Sequence, residues 1–252
     1  MTASRHVDSM EPCMLARHAV HTVRGAQSSG REAANMTTIG IIGSGHVGSN
    51  LARAAIAHGY DVVLSNSQGT DSLAGLVQDL GPRARAATPE AAAAAADFVI
   101  VAIPITTIDQ IPVDPLAGKV VIATINYFPK RDGHIPAIDS GAATVPALLQ
   151  AHLPSSKVVR AFSMIDAADM SGDGHPAGDP KRRALALAGD DPAAKNLVAG
   201  LYDEFGFDAV DLGGLDEAWR VDPGQRAFVT RQNLAELTAN VASAKRGSEA
   251  GV

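Results

Sequence analysis

One cysteine, one tryptophan and no long apolar run set the first limits on this chain of 252 residues. Cys13 cannot close an internal disulfide, and no second Cys or His stands beside it at zinc-ligand spacing, so neither a disulfide scaffold nor a metal module is expected. A reducing, cytoplasmic setting fits that pattern. No stretch approaches the ~20 apolar residues that span a bilayer, so no membrane partner is expected. Positive charge is also scarce: 21 Lys and Arg face 27 Asp and Glu, a net charge of -6, and the basic residues are scattered. Phosphate-backbone binding needs a basic patch, so nucleic acid is not an expected partner either. The chain also lacks a G-x-S-x-G elbow, a P-loop lysine motif and a zinc-protease helix.

What is present is enough apolar content, 46%, to bury a full core. Residues 1–35 carry Arg5, Arg17, Arg24 and Arg31 against Asp8, Glu11 and Glu32, with no aromatic residue and no sustained periodicity. They read as a tail preceding Met36, where translation is expected to start, rather than as a signal peptide, because Arg17, His18 and His21 interrupt the apolar stretch. The expected organisation is this tail, a dinucleotide-binding domain over 36–229, and a C-terminal helix and tail over 230–252.

From Met36 on, β-branched runs alternate with alanine-rich stretches, the mark of a doubly wound α/β fold: a mostly parallel sheet covered by helices on both faces. Strands are predicted at Thr38–Ile42, Asp61–Ser65, Phe98–Ala102, Val120–Ile125, Val158–Phe162, Ala184–Leu187 and Ala209–Leu212. Their apolar residues are nearly continuous, as strands buried on both faces require. Thr88-Pro89 and Asp191-Pro192 each place a capping oxygen before a proline, a helix start, so Asp190-Asp191 reads as a cap and its neighbour rather than a catalytic pair.

The chemistry-bearing motif is Gly43-Ser44-Gly45-His46-Val47-Gly48, placed between a predicted strand and a predicted helix. In that context G-x-G-x-x-G has a mechanical meaning. Gly43 permits the tight turn, Gly45 lets backbone approach a pyrophosphate, and Gly48 lets the helix lie close to the strand with its first N–H groups toward the phosphates. Val47, Leu51 and Ala55 form the helix's buried face and Gly59 ends it. His46 reads as a solvated side chain at the pocket mouth. At the end of the second strand an NAD site usually presents Asp or Glu to the ribose hydroxyls. Here Ser65 is followed by the neutral Asn66, Ser67 and Gln68, which favours NADP.

Several segments in order, the G-S-G-H-V-G turn, SNSQG from Ser65, VAIP from Val101, NYFPKRDG from Asn126, KVVRAFSMI from Lys157 and ALAGDDPAAKNLV from Ala186, resemble the NADPH:deazaflavin-coenzyme oxidoreductase family. Its broader relatives include pyrroline-5-carboxylate reductases and the reductase modules of membrane ferric reductases. The resemblance implies NADP as cofactor and hydride transfer between nicotinamide and a deazaflavin coenzyme as small-molecule substrate, with no catalytic side chain required. It implies Ala102, Ile103, Pro104 and Asn126 on the nicotinamide side, and Phe162, Ser163 and Met164 against the second ring. Gln68 stands where the family has an Arg for the 2′-phosphate, and Ser163 where it has an Asn. Two alternatives stay open. One is an NADPH-dependent reductase of a small imine, carbonyl or flavin with Tyr127 or His175 as proton donor; the other is a dinucleotide-binding sensor without turnover.

The loop Asp166–Arg183, rich in Asp, Gly and Pro, is long enough for a lid or substrate loop, but Asp173, His175 and Asp179 read as turn residues and Lys181-Arg182-Arg183 as a solvated edge. Leu234, Leu237, Val241 and Ala244 fall on one helical face that packs on the sheet or pairs across a homodimer.

Overall fold

Four of the five residues of β1 (Thr38–Ile42) are β-branched, and all but the first are buried, which fixes it as the centre of a sheet rather than an edge. The computed structural model describes residues 37–246; the expected tail at 1–35 lies outside them. In chain order follow α1 (His46–Ala57), β2 (Asp61–Ser65), α2 (Ala74–Leu80), β3 (Ala84–Ala86), α3 (Pro89–Ala95), β4 (Phe98–Val101) and β5 (Val120–Ala123). Then come the short helices α4 (Pro129–Asp132) and α5 (Pro136–Asp139), α6 (Val145–His152), β6 (Lys157–Arg160), β7 (Ala184–Gly189), α7 (Pro192–Glu204), β8 (Asp208–Asp211) and α8 (Leu234–Ser243). Spatial order is β3-β2-β1-β4-β5-β6-β7-β8, parallel except where β6 meets β7. The strand order reverses between β1 and β4, and the fold is Rossmann-like: one α/β domain with a crevice at that point.

Strand alternation sorts the core onto two faces. Ile39, Ile41, Phe98, Ile100 and Ile122 join α1, α7 and α8 on one side, while Val99, Val101, Val121 and Ala123 meet Leu149 of α6 on the other. At about 1.5–3 kcal/mol per buried aliphatic side chain, both faces contribute to stability, and no face of β1, β4 or β5 is left to water. The expected caps form: Thr88 accepts from the Ala91 amide and Asp191 from the Ala194 amide. Leu237 and Val241 of α8 are buried, and the helix packs on β7 and β8.

Two expectations need correction. The three-residue β3 was not read as a strand, since Ala84-Arg85-Ala86 contains no β-branched residue; it is held only by its register against Val62–Leu64. Arg182 and Arg183 are no solvated edge but buried, Arg182 between Asp203 and Asp208, and Arg183 on Asp169 and Asp173. The loop before them is anchored at its start, where Ala167 and Met170 are buried in the core that includes α1, while residues 171–181 stay exposed or half-buried. The antiparallel entry of β7 has a topological cause: with no full helix between β6 and β7 the chain turns back on itself, so β7 starts beyond the end of β6 and meets it only at its own last two residues, Ala188 opposite Arg160 and Gly189 opposite Val159. Among the described residues no helix is long and apolar enough to cross a membrane.

Candidate functional site

The turn between β1 and α1 is tied to the end of β2. The Gly43 amide and the Ser44 hydroxyl both donate to the Ser65 carbonyl, at 3.0 and 2.9 Å. Gly43 has φ +100°, and a β-carbon there would stand 2.3 Å from the Ala102 carbonyl oxygen, so only glycine permits the end of β4 to pass this close. At Gly48 a β-carbon would stand 1.9 Å from the Gly43 carbonyl oxygen, which is why helix and turn can touch. Gly45 differs from both: its φ is -74° and nothing lies within 4 Å of the β-carbon position. The protein itself has no steric need for glycine there. The open space over Gly45, at the start of α1, is the room a pyrophosphate needs.

Electrostatics at the same point agree. No side chain caps the first turn of α1 and no acidic residue stands in it, so the positive end of the helix dipole is uncompensated. His46 is exposed, Val47 is half-buried against the core, and Leu51 and Ala55 are fully buried, as the spacing predicts. The residues present therefore fit a dinucleotide diphosphate.

Around this centre the structure brings most predicted residues together. Ala102 adjoins Gly43, Ile103 is half-buried beside it, and Pro104 is exposed. At the end of β2, Asn66 is half-buried and Ser67 and Gln68 are exposed. The Asn66 amide braces its own loop, accepting from the Gln68 amide at 3.0 Å and donating to the Ser72 hydroxyl at 2.8 Å.

Beyond β5 and β6 lies a feature that sequence reasoning missed. Arg160 is buried at the end of β6, with its guanidinium spread over four acceptors: the Ser163 hydroxyl at 2.8 Å, the Ala218 backbone carbonyl at 3.1 Å, the Asn126 side-chain oxygen at 2.9 Å and the Asp222 carboxylate. Asn126 in turn donates to the Ser163 carbonyl at 2.7 Å. Its amide is thus held at both ends by the protein. The signal in the sequence was an arginine inside the apolar run Val158–Phe162.

The second-ring residues require a correction. Phe162 and Met164 are 1% and 0% exposed, and their side chains are core: Phe162 sits edge-on to Tyr202 with centroids 4.8 Å apart, and the Met164 sulfur accepts from the Ala186 amide. Ser163 is buried with its hydroxyl given to Arg160. None of the three side chains has a face free for a ring.

The two proton-donor candidates are also placed elsewhere. The Tyr127 hydroxyl is held between the Asp139 carboxylate, at 2.6 Å, and the Gly133 carbonyl, and accepts from the Ile135 amide. Burial and that carboxylate push its pKa up, while the same hydrogen bond, with His134, holds Asp139 down. His175 lies with His58 and Phe205 on a cavity of about 390 Å³ at the carboxyl end of α1, the opposite end from the glycine turn.

Residues 38–127, which span β1 to the end of the β5 loop, match the family described as NADP oxidoreductase coenzyme F420-dependent. The resemblance read from the motifs holds there. Rat metalloreductase STEAP3 is 28% identical over 186 residues, covering 73% of this chain and 35% of its own. Among solved structures, protein SMa0349 of Sinorhizobium meliloti is 29% identical with a TM-score of 0.66, covering 79% of this chain and 96% of its own. A candidate F420-dependent NADP reductase of Arthrobacter sp. FB24 is 25% identical with a TM-score of 0.62, covering 73% and 87%. The chain spans 35% and 53% of the lengths of the curated relatives it matches.

Proposed function

We propose that the protein is an NADP(H)-dependent oxidoreductase that passes hydride between nicotinamide and a deazaflavin coenzyme. The observation that carries this reading is Gly45, a glycine with no intramolecular reason to be one, at the uncapped start of a helix in the switch-point crevice. The match of residues 38–127 to an NADP oxidoreductase family supports the choice of cofactor and reaction class.

When bound, NADPH would supply a hydride from nicotinamide C4 for C5 of the deazaflavin, with a solvent proton at N1 completing the reduced ring and NADP⁺ as the other product. Each residue around the crevice binds, orients or excludes water. Gly43, Ser44, Gly45, His46, Val47 and Gly48 hold the diphosphate through backbone N–H groups and the helix dipole. Asn66, Ser67 and Gln68 meet the ribose end with neutral hydrogen-bonding groups. Ala102, Ile103 and Pro104 give the nicotinamide an apolar wall beside Gly43, and Asn126, locked by Arg160, fixes the floor beneath it. No acid or base is needed, since orientation of two flat rings and exclusion of water are what this transfer requires of a protein. The imine or carbonyl alternative needs a proton donor at the crevice; Tyr127 is bonded into its own loop and His175 sits at the far end of α1.

The test is titration of the protein with NADPH, followed by oxidation of NADPH with deazaflavin, flavin and small imines in parallel. Saturable binding and turnover with deazaflavin above the others is the expected result. Absence of NADPH binding sinks the reading, and binding without turnover on any acceptor leaves a dinucleotide-binding module.

A further inference from the structure

Among the described residues, Phe162 (φ +54°) and Val229 (φ +52°) are the non-glycine residues in the left-handed region. For a β-branched or aromatic residue that conformation is strained and persists where surroundings enforce it. Both strained residues sit at one place. Phe162 follows the end of β6, and the Val229 amide donates to the carbonyl of Met164, two residues on. The consequence of the two turns differs. Phe162 is directed into the core, while Val229 is left 45% exposed as an apolar side chain with Phe228 half-buried beside it.

Phe228 meets Phe128, the second residue after Asn126 in the loop leaving β5, edge-on at 6.2 Å between centroids. Phe128 follows β5 and Phe228 is joined through Val229 to Met164 beyond β6, so the pair lies on the carboxyl side of those two strands, the side on which the neighbouring parallel strand β4 ends and runs on to Ile103. Arg131 lies over the Phe128 ring at 4.8 Å and is paired with Asp132. Lys130 and Arg226, each two residues from one of the rings, are exposed, and among the described residues neither is paired with a carboxylate.

An aromatic pair partly open to water, an exposed apolar residue and two uncompensated cations at the edge of the crevice have a common explanation. We infer that Phe128 and Phe228 form the wall against which the second ring stacks, and that Lys130 and Arg226 receive an anionic substituent carried on that ring. The inference rests on the hydride-transfer reading and replaces the buried Phe162, Ser163 and Met164 as the acceptor side of the site. Phe128 and Phe228 act by positioning: the ring's π-face meets theirs, and the cations select among flat partners by charge rather than shape.

The test uses the full chain with NADP⁺ bound, which blocks turnover, and reads ring binding by quenching of 5-deazariboflavin and of its 5′-phosphate. The phosphate ester is expected to bind about tenfold more tightly than the neutral ring at low salt, and the preference to shrink as salt rises. Lys130→Gln with Arg226→Gln removes the preference and leaves the neutral ring's affinity as it was. Phe128→Leu with Phe228→Leu weakens both ligands about tenfold, the loss of two aromatic contacts, without moving NADPH affinity. Leucine keeps these positions apolar, and an unchanged thermal transition confirms that the variant is folded. The inference is overturned if wild type binds NADPH but quenches neither ring, or if both double variants bind both ligands as wild type does. Failure to bind NADPH at all would instead strike the proposed function.

Discussion

Arg160, 1% exposed, donates to the side-chain oxygen of Asn126 at 2.9 Å, joining the end of β6 to the loop that leaves β5. The same guanidinium reaches Asp222, 62 residues along the chain, so a single cation ties the C-terminal segment to that loop. Removing the carboxylate leaves a buried charge without its counter-ion. Asp222→Ala is expected to cost about 2–3 kcal/mol, less than the ~3–5 of a fully buried pair because Asp222 keeps 25% of its side chain exposed. Urea denaturation measures it; a change below about 0.5 kcal/mol would show that Arg160 is satisfied without Asp222.

Gly45 and Gly48 separate what the ligand requires from what the fold requires. Gly45→Val fills space that is empty in the protein, so the thermal transition should move little while NADPH affinity falls at least about 100-fold, the β-carbon and its branches standing where the diphosphate lies. Gly48→Ala places a carbon 1.9 Å from the Gly43 carbonyl, and the helix must shift from the turn; a loss of about 1–3 kcal/mol is expected from overpacking alone. Calorimetry and NADPH titration on both variants decide it. NADPH affinity surviving Gly45→Val would place the diphosphate elsewhere.

Gln68 is exposed at the end of β2, and between Ser65 and Ser72 there is no Lys or Arg. A 2′-phosphate there would meet neutral donors only. Gln68→Arg adds a delocalised cation able to take two phosphate oxygens, so NADPH affinity is expected to rise about tenfold while NADH affinity stays the same. Competitive titration gives the ratio directly; an equal gain for both nucleotides would mean that residue 68 does not reach the 2′ position.

The β1–α1–β2 unit was legible because three signals coincide within 28 residues: β-branched runs, glycine spacing and the helical period of Val47, Leu51 and Ala55. Propensity, turn chemistry and burial all point the same way there. Short-range information was insufficient elsewhere. Nothing near Arg160 or Arg182 reveals their carboxylate partners, because Asp222, Asp203 and Asp208 lie 20 or more positions away and become neighbours only through the fold. Phe162 and Met164 show a different limit. Apolar side chains suit a ring-binding wall and a core equally well, and the backbone path decides; here Phe162 is turned onto Tyr202. Phe128 and Phe228, 100 positions apart, had no sequence signal linking them.

Tyr127 offers a test that distinguishes hydride transfer alone from reduction assisted by a proton donor. Its hydroxyl donates to Asp139 and stabilises that carboxylate, which is why the Asp139 pKa lies below the ordinary value. A carboxylate lowered in the folded state adds stability that is present above its unfolded value, near 4, and is lost as pH falls through the lowered folded value. Tyr127→Phe removes the donor, so the Asp139 pKa should rise toward the ordinary range. The variant should be less stable than wild type at pH 7, with the gap narrowing on acidification below about 4, as a series of thermal melts would show. The reaction itself should be indifferent: with deazaflavin as acceptor, kcat and its pH profile in Tyr127→Phe are expected to overlay those of wild type. Loss of one limb of a bell-shaped profile in the variant would make Tyr127 a proton donor and favour reduction of an imine or carbonyl.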